Sequence, residues 1–279
     1  IALVMKNGDV CGVKTANSTY NADSVVVCTG GKSYPRTGST GDGYTFAKCA
    51  GHKLTPITPS LVPLESDDTF CRDLQGLALK NVKVSVFDNN SKREIYNDFG
   101  ELLFTHFGIS GPTVLSASAH MRDMSAGRYT VHIDLKPALD VQTLDKRLLK
   151  DFDKFINKDI CNSLFELMPK SLVPVVLDLC NIDPHTKCNN IKASQRESMV
   201  QTLKNLAVNI KGFRPIDEAI ITSGGVNVNE VDPKTMRSKI TQSLYFAGEV
   251  LDVDAYTGGF NLQIAFSTGY LAGLNASQS

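Results

Sequence analysis

Short apolar runs punctuated by glycine and asparagine open the chain. Ile1 to Met5, Val10 to Thr15 and Val25 to Thr29 read as strands, with turns at Asn7-Gly8-Asp9 and around Asn17, where Gly and Asn tolerate the backbone angles a tight turn needs. Val25 to Cys28 is continuously apolar and ends in Thr29-Gly30-Gly31. That is the pattern of a parallel strand buried on both faces and facing a ligand crevice at its carboxyl end. The spacing of Tyr44, Phe46, Ala47 and Ala50 then predicts a helix from Gly41 to Gly51. Pro56, Pro59 and Pro63 follow too closely for a helix or a central strand, and mark a crossing between domains.

Beyond the prolines the period changes to two. Val82, Val84 and Val86 fall on one face and Lys83 and Ser85 on the other; Asp88 to Ser91 reads as a turn, Ile95 and Leu102 to Phe104 continue the pattern, and Val131 to Leu135 adds a strand. An antiparallel sheet or small barrel is expected. Between 139 and 206 the period becomes helical, with Leu144, Leu148, Phe152 and Phe155 in one stretch and Met199, Leu203 and Leu206 in another. Pro169, Pro174 and Pro184 are expected to break the span into short helices. From Ile220 the opening texture returns: Leu244 to Gly248 is a strand ending in glycine, and Gly258-Gly259 leads a helix to Gly273, its apolar positions packed on the sheet. The first and last portions therefore form one α/β domain interrupted by two insertions. Its boundaries are set at 1–58 with 221–279, the barrel-like part at 59–138 with 207–220, and the helical insertion at 139–206.

The chain has 279 residues, beyond the ~250 at which single cores tend to divide. Lys plus Arg and Asp plus Glu both number 29, with no concentrated run of either sign, so long-range attraction to nucleic acid or to an anionic membrane is not expected. The longest apolar runs, such as Val173 to Leu179, fall short of the ~20 residues that cross a bilayer. Seven cysteines, an odd number without a C-x-x-C pair, point to reduced thiols in a cytoplasm. Cys180, His185 and Cys188 are close in sequence, but scattered cysteines are the simpler reading, and no metal is assigned.

Three glycine-rich strand ends carry the chemistry: Thr29-Gly30-Gly31, Gly248-Glu249 with Asp252, and Gly258-Gly259-Phe260-Asn261. Glycine at these ends lets a backbone approach a bulky anionic or aromatic ligand, of which a dinucleotide is the obvious example. A helix starting near Gly259 would aim its unsatisfied N–H groups at such a ligand. Taken singly, each glycine reads more simply as a tight turn or a close helix–strand contact. No G-x-S-x-G elbow occurs, and the histidines lack a recognisable nucleophile partner, which disfavours hydrolysis.

The block from Gly30 to Tyr44, GGKSYPRTGSTGDGY, resembles a hallmark of the BaiN-type, aminoacetone-oxidase-like family of bacterial NAD(P)/FAD-dependent oxidoreductases. Gly100 to Pro112, Thr222 to Val226, Thr235 to Lys239 and Leu244 to Asn261 resemble further family blocks in the family order. The resemblance implies an α/β fold: a Rossmann-like FAD-binding domain interrupted by a β-barrel-like domain that carries a helical insertion. It implies that Thr29, Gly30 and Gly31 lie near the pyrophosphate and ribityl chain. Glu249, after Gly248, would accept from ribityl hydroxyls, and Asp252, Gly258, Gly259, Asn261 and Leu262 would border the isoalloxazine. Ser33 and Thr222 are further cofactor candidates.

Family members begin with a G-x-G-x-x-G turn and an acidic ribose anchor, and neither occurs here. The chain enters an apolar run at Ile1, as if in mid-fold, so the FAD-binding domain is expected to be incomplete and to hold FAD weakly or not at all alone. NAD(P)H is the expected electron donor and a small molecule the expected substrate. His106, in a glycine-rich block, could donate to a substrate oxygen, although a structural histidine is the simpler reading. The competing functional class is a non-catalytic nucleotide-binding or interaction module on the same fold.

Overall fold

The structure, a computed structural model, describes residues 1–278. The chain begins with β1 (Ala2–Lys6), β2 (Asp9–Lys14), β3 (Thr19–Asn21), β4 (Val25–Val27), α1 (Asp42–Cys49) and β5 (Thr58–Ser60). It continues through β6 (Leu64–Ser66), α2 (Thr69–Asp73), β7 (Ala78–Asp88), β8 (Arg93–Thr105), β9 (Gly108–Ser110), α3 (Pro112–Ser118) and β10 (Tyr129–Asp134). Then come α4 (Val141–Lys154), α5 (Leu172–Leu179), α6 (Ala193–Lys204) and β11 (Leu206–Phe213), and finally β12 (Ile221–Ser223), β13 (Leu244–Phe246) and α7 (Phe260–Ala276). Two compact units result, residues 1–62 with 214–279 and residues 63–213.

In the second unit six strands close into a barrel in the order β10-β11-β6-β9-β8-β7, as the alternation had suggested. Val82, Val84, Val86, Phe104, Val131 and Ile133 are buried in its core. Ser85, expected on the polar face, is buried as well, flanked in register by Asn97 and His132. Strands β10 and β11 are antiparallel neighbours, Tyr129 opposite Ile210 and Ile133 opposite Leu206. The chain therefore leaves the barrel after β10, builds α4 to α6, and returns along the strand it left. Asp140 caps α4 by accepting from Thr143 N–H at 2.6 Å. Pro174 does not break α5; it lies in the first turn, where the helix has no use for its N–H. The short α2, α3 and β9 were not expected from the pattern, because each is too brief to show a period.

In the first unit β1, β2 and β3 form an antiparallel sheet, and β4 pairs in parallel with β13, Val25 opposite Leu244 and Val27 opposite Phe246. Parallel strands need cover on both faces, and Val25, Val27, Leu244, Tyr245 and Phe246 are all buried. A further pair joins β12 to β5, with Thr222 opposite Pro59. Proline is admitted to a strand here because the pair has only two members, so its missing N–H breaks no inner ladder.

Helix α7 departs from the expectation that its apolar positions pack on the sheet. Among its described residues only Ala272 is fully buried, and Leu271 is partly buried against the core. Leu262, Phe266, Tyr270 and Leu274, spaced by four, form an exposed stripe in which Phe266 is 67% and Tyr270 71% open to solvent.

Candidate cofactor site

Because β4 and β13 run side by side in the same direction, their carboxyl ends deliver Thr29-Gly30-Gly31 and Gly248-Glu249 to one edge of the first unit. Ala247 N–H continues the pairing by donating to Val27 C=O at 3.0 Å. The end of β12 joins them through side chains. Glu249 Oε1 accepts from Thr222 N–H at 2.7 Å and from Ser33 Oγ at 3.1 Å, and Thr222 Oγ1 accepts from the N–H groups of Lys32 and Ser33 at 2.8 and 3.0 Å. Three positions proposed from sequence, Ser33, Thr222 and Glu249, thus form a single hydrogen-bonded cluster, against which Gly31 is packed.

Gly31 owes its identity to this cluster. A Cβ there would fall on Thr222 Oγ1 and within 2.6 Å of Glu249 Oε1, so any side chain would push the carboxylate away. Glu249 Oε2 has no donor among the described residues, which leaves one carboxylate oxygen held and the other available to a ligand hydroxyl. Tyr44 is buried nearby, and burial, with the Glu249 charge beside it, pushes its hydroxyl pKa up to about 12. Thr29 Oγ1 is buried without a hydrogen-bond partner among the described residues.

A cavity of about 350 Å³ opens beside Glu249. Gly248, Glu249, Gly258, Gly259, Asn261 and Leu262 line it, with Leu61, Ile220 and Tyr256 among its apolar and aromatic walls. Gly259 takes a left-handed φ of 90° to start α7, and nothing lies within 4 Å of where its Cβ would be, so the first turn of the helix is open to a flat ligand. The acceptor carboxylate, the open helix start and the apolar walls fit the polyol and ring of a flavin.

Other predicted residues have different parts. Asn261 borders the cavity, but its amide is spent on the loop before it: Oδ1 accepts from Ala255 N–H at 2.9 Å, and Nδ2 donates to Ala255 C=O at 2.8 Å and Tyr256 C=O at 3.3 Å. Asp252 is outside the lining and joins the loop by donating its N–H to Val226 C=O at 3.0 Å. Thr29 and Gly30 are also outside the lining; Gly30 forms the turn with φ 74°. Asp254, not singled out from the sequence, accepts from Ser60 and Ser223 hydroxyls at 3.0 and 3.3 Å and pins the same loop to β5 and β12. Its only sequence signal was an acidic residue amid the family-like block. His106 lies in the β8–β9 hairpin of the other unit, exposed, with its ring edge-on to Phe107 at 5.0 Å.

One histidine does have a serine partner that the sequence concealed, since the two are 186 positions apart. His52 Nε2 lies 2.7 Å from Ser238 Oγ, and Nδ1 lies 3.3 Å from Glu230 Oε2. Ser238 Oγ already accepts from Ile240 and Thr241 N–H groups, so its proton goes to Nε2 and the imidazole proton faces Glu230. Both His52 and Ser238 are buried, which makes the trio a clamp between segments and not a nucleophile. No group of three or more His, Cys, Asp or Glu placed to hold a metal occurs among the described residues.

An α/β unit whose glycine-rich strand ends flank a carboxylate and a cavity, interrupted by a six-stranded barrel with inserted helices, defines the class. The chain belongs to the HI0933-like family: residues 58–221 match its barrel and H2TH domain, and the resemblance read from the glycine blocks is borne out. It is similar to the 3-dehydro-bile acid delta(4,6)-reductase of Clostridium scindens, 31% identical over 268 residues, covering 95% of this chain and 65% of that protein. It is also similar to the ribosomal RNA dihydrouridine synthases of Escherichia coli, 31% identical over 90% of this chain and 60% of the relative, and of Haemophilus influenzae, 33% identical over 95% and 63%. The chain thus spans 60 to 65% of the length of these curated relatives. No helix among the described residues is long and apolar enough to cross a membrane.

Proposed function

We propose that this chain is part of a flavin-dependent reductase that passes electrons from NAD(P)H through FAD to a ring carbon–carbon double bond conjugated with a carbonyl. The observation that carries the reading is Glu249, held through one oxygen by Thr222 and Ser33 with the other free, at the mouth of a cavity that ends on the first turn of α7. The names of the relatives agree with the substrate class, since a 3-dehydro delta(4,6) steroid and a uracil ring both present such a bond.

A bound flavin supplies the hydride-carrying ring. Glu249 would hold the polyol, Gly31 would leave room for Thr222 and Glu249 to meet, Gly248 would let the ligand approach, and Gly258, Gly259 and Leu262 would border the ring. The N–H groups of the first turn of α7 would favour negative charge at the ring's edge, and the buried Leu61 and Ile221 would form a dry wall on one side of it. Without a G-x-G-x-x-G turn in these 279 residues to meet the pyrophosphate, the chain alone holds FAD weakly. A small molecule is favoured over nucleic acid as substrate because acidic and basic side chains balance across the chain. All seven cysteines are free thiols, which supports a cytoplasmic setting.

The test is reconstitution with flavin, followed by NADH or NADPH and a simple cyclic enone. With flavin in excess, absorbance at about 450 nm that bleaches with the nicotinamide only when the protein is present, and recovers with the enone, is expected. A protein that binds flavin but is inert to both nicotinamides would instead be a non-catalytic nucleotide-binding module.

A further inference from the structure

A second cavity, of about 200 Å³, lies in the other unit against the barrel wall. Its walls are Leu79 and Val82 of β7, Leu135 after β10, and Met168, Pro169 and Leu172 at the start of α5, with Lys80 and Lys136 as the only charged lining residues. The wall opens at a β-bulge: Leu79 pairs with Leu102 and Val82 with Gly100, so Lys80 and Asn81 together face Glu101, and Asn81 takes a left-handed φ of 56°.

Lys136 is half-buried, and no acceptor pairs with its ammonium among the described residues. Two carboxylates on neighbouring elements, those of Asp134 and Asp151, are spent. Asp134 Oδ2 is bound to Lys204 Nζ at 2.5 Å and its Oδ1 to the Lys136 backbone N–H at 2.9 Å, while Asp151 takes Arg147 at 2.9 Å. Lys80 reaches only Glu101, at 4.0 Å, with both side chains largely in solvent. Burial, and secondarily the nearby Arg147 charge, pull the Lys136 pKa below the ordinary lysine value, as expected for a cation lacking its counter-ion. A half-buried unpaired charge is costly, and an anion entering the slot would relieve it.

We propose that this slot is a binding site for a short aliphatic carboxylate, its head on Lys136 and its chain against Leu79, Val82, Met168 and Leu172. The volume suits that class: at about 30 Å³ for each water-sized group it holds six or seven such groups, a carboxylate counted as about two with four or five carbons behind it. The site is separate from the flavin reading and stands or falls without it.

The probe is hexanoate, with hexan-1-ol as its uncharged counterpart, followed by the Met168 methyl signal of 13C-methionine-labelled protein. Hexanoate should shift that signal in a saturable manner and bind at least about ten times more tightly than hexan-1-ol. Lys136→Met should weaken hexanoate by about tenfold or more and leave hexan-1-ol unchanged, whereas Lys136→Arg should stay within about threefold. An unmoved Met168 signal, equal affinity for acid and alcohol, or undiminished hexanoate binding by Lys136→Met would overturn the proposal. If Lys136→Met does not fold, the comparison of acid with alcohol on the unaltered chain decides.

Discussion

Replacing Thr222 with valine removes one oxygen and keeps the shape of the side chain. That oxygen accepts from two backbone donors, Lys32 N–H at 2.8 Å and Ser33 N–H at 3.0 Å, and Thr222 is almost wholly buried. Stranding the Ser33 donor costs about 1–3 kcal/mol, and the partly exposed Lys32 donor about 1 more, for a total of about 2–4 kcal/mol. The chain has two units, so a single unfolding midpoint would mix their transitions. The appropriate assay is local amide exchange over residues 30–36, where that energy corresponds to protection falling by about 30- to 1000-fold. Thr222→Ser keeps the acceptor and loses only a methyl, so it should cost about 1 kcal/mol. If valine and serine variants exchange alike over that segment, the turn after β4 is not held by Thr222, and the account of how Glu249 is framed fails with it.

Three further outcomes follow from the geometry. Asn261→Ala removes the three hydrogen bonds to Ala255 and Tyr256, so exchange over 253–258 should rise by about tenfold or more while the barrel is unaffected; an unchanged loop would mean that Asp254 suffices to hold it. Gly31→Ala should displace Glu249 and destabilise the first unit by about 1–3 kcal/mol, read as raised exchange over 30–36 and 247–252; native protection would show that the cluster can yield. Burial holds the His52 pKa below its ordinary value against the opposing pull of Glu230. The folded state therefore binds fewer protons than the unfolded state once pH falls below about 6.5, and stability of the first unit is complete above that value and declines as pH drops through the folded pKa. His52→Gln should flatten that decline, and an equally steep loss in the variant would assign it to other groups.

How much was legible depended on the length of the pattern that carried it. The buried valine run before Thr29 and the alternation of Val82, Val84 and Val86 announced a parallel strand and a barrel wall, because their periods repeat over several residues. The elements β9, α2 and α3 are shorter than any period and appear only once tertiary contacts are known. Pro59 and its neighbours did exclude a central strand and fall next to the division between the units, whereas Pro174 misled, because a helix's first turn admits proline. The glycine-rich ends marked strand ends that lie around one cavity, with Glu249, Gly248, Gly258 and Gly259 among its lining. That Asn261 would serve the loop and Asp252 lie outside the cavity depended on side-chain directions that spacing does not encode. The Ser238–His52–Glu230 clamp was invisible for the same reason.

On the function proposed above, the cavity between Glu249 and the first turn of α7 receives a flavin ring and polyol. Hydrogen-exchange footprinting of the chain with FMN at about 1 mM, high enough to populate even weak binding, tests it directly. Protection confined to residues 30–36, 220–222 and 248–265, and lost in Glu249→Gln, is the predicted result. Protection elsewhere, or the same footprint without the carboxylate, would contradict it.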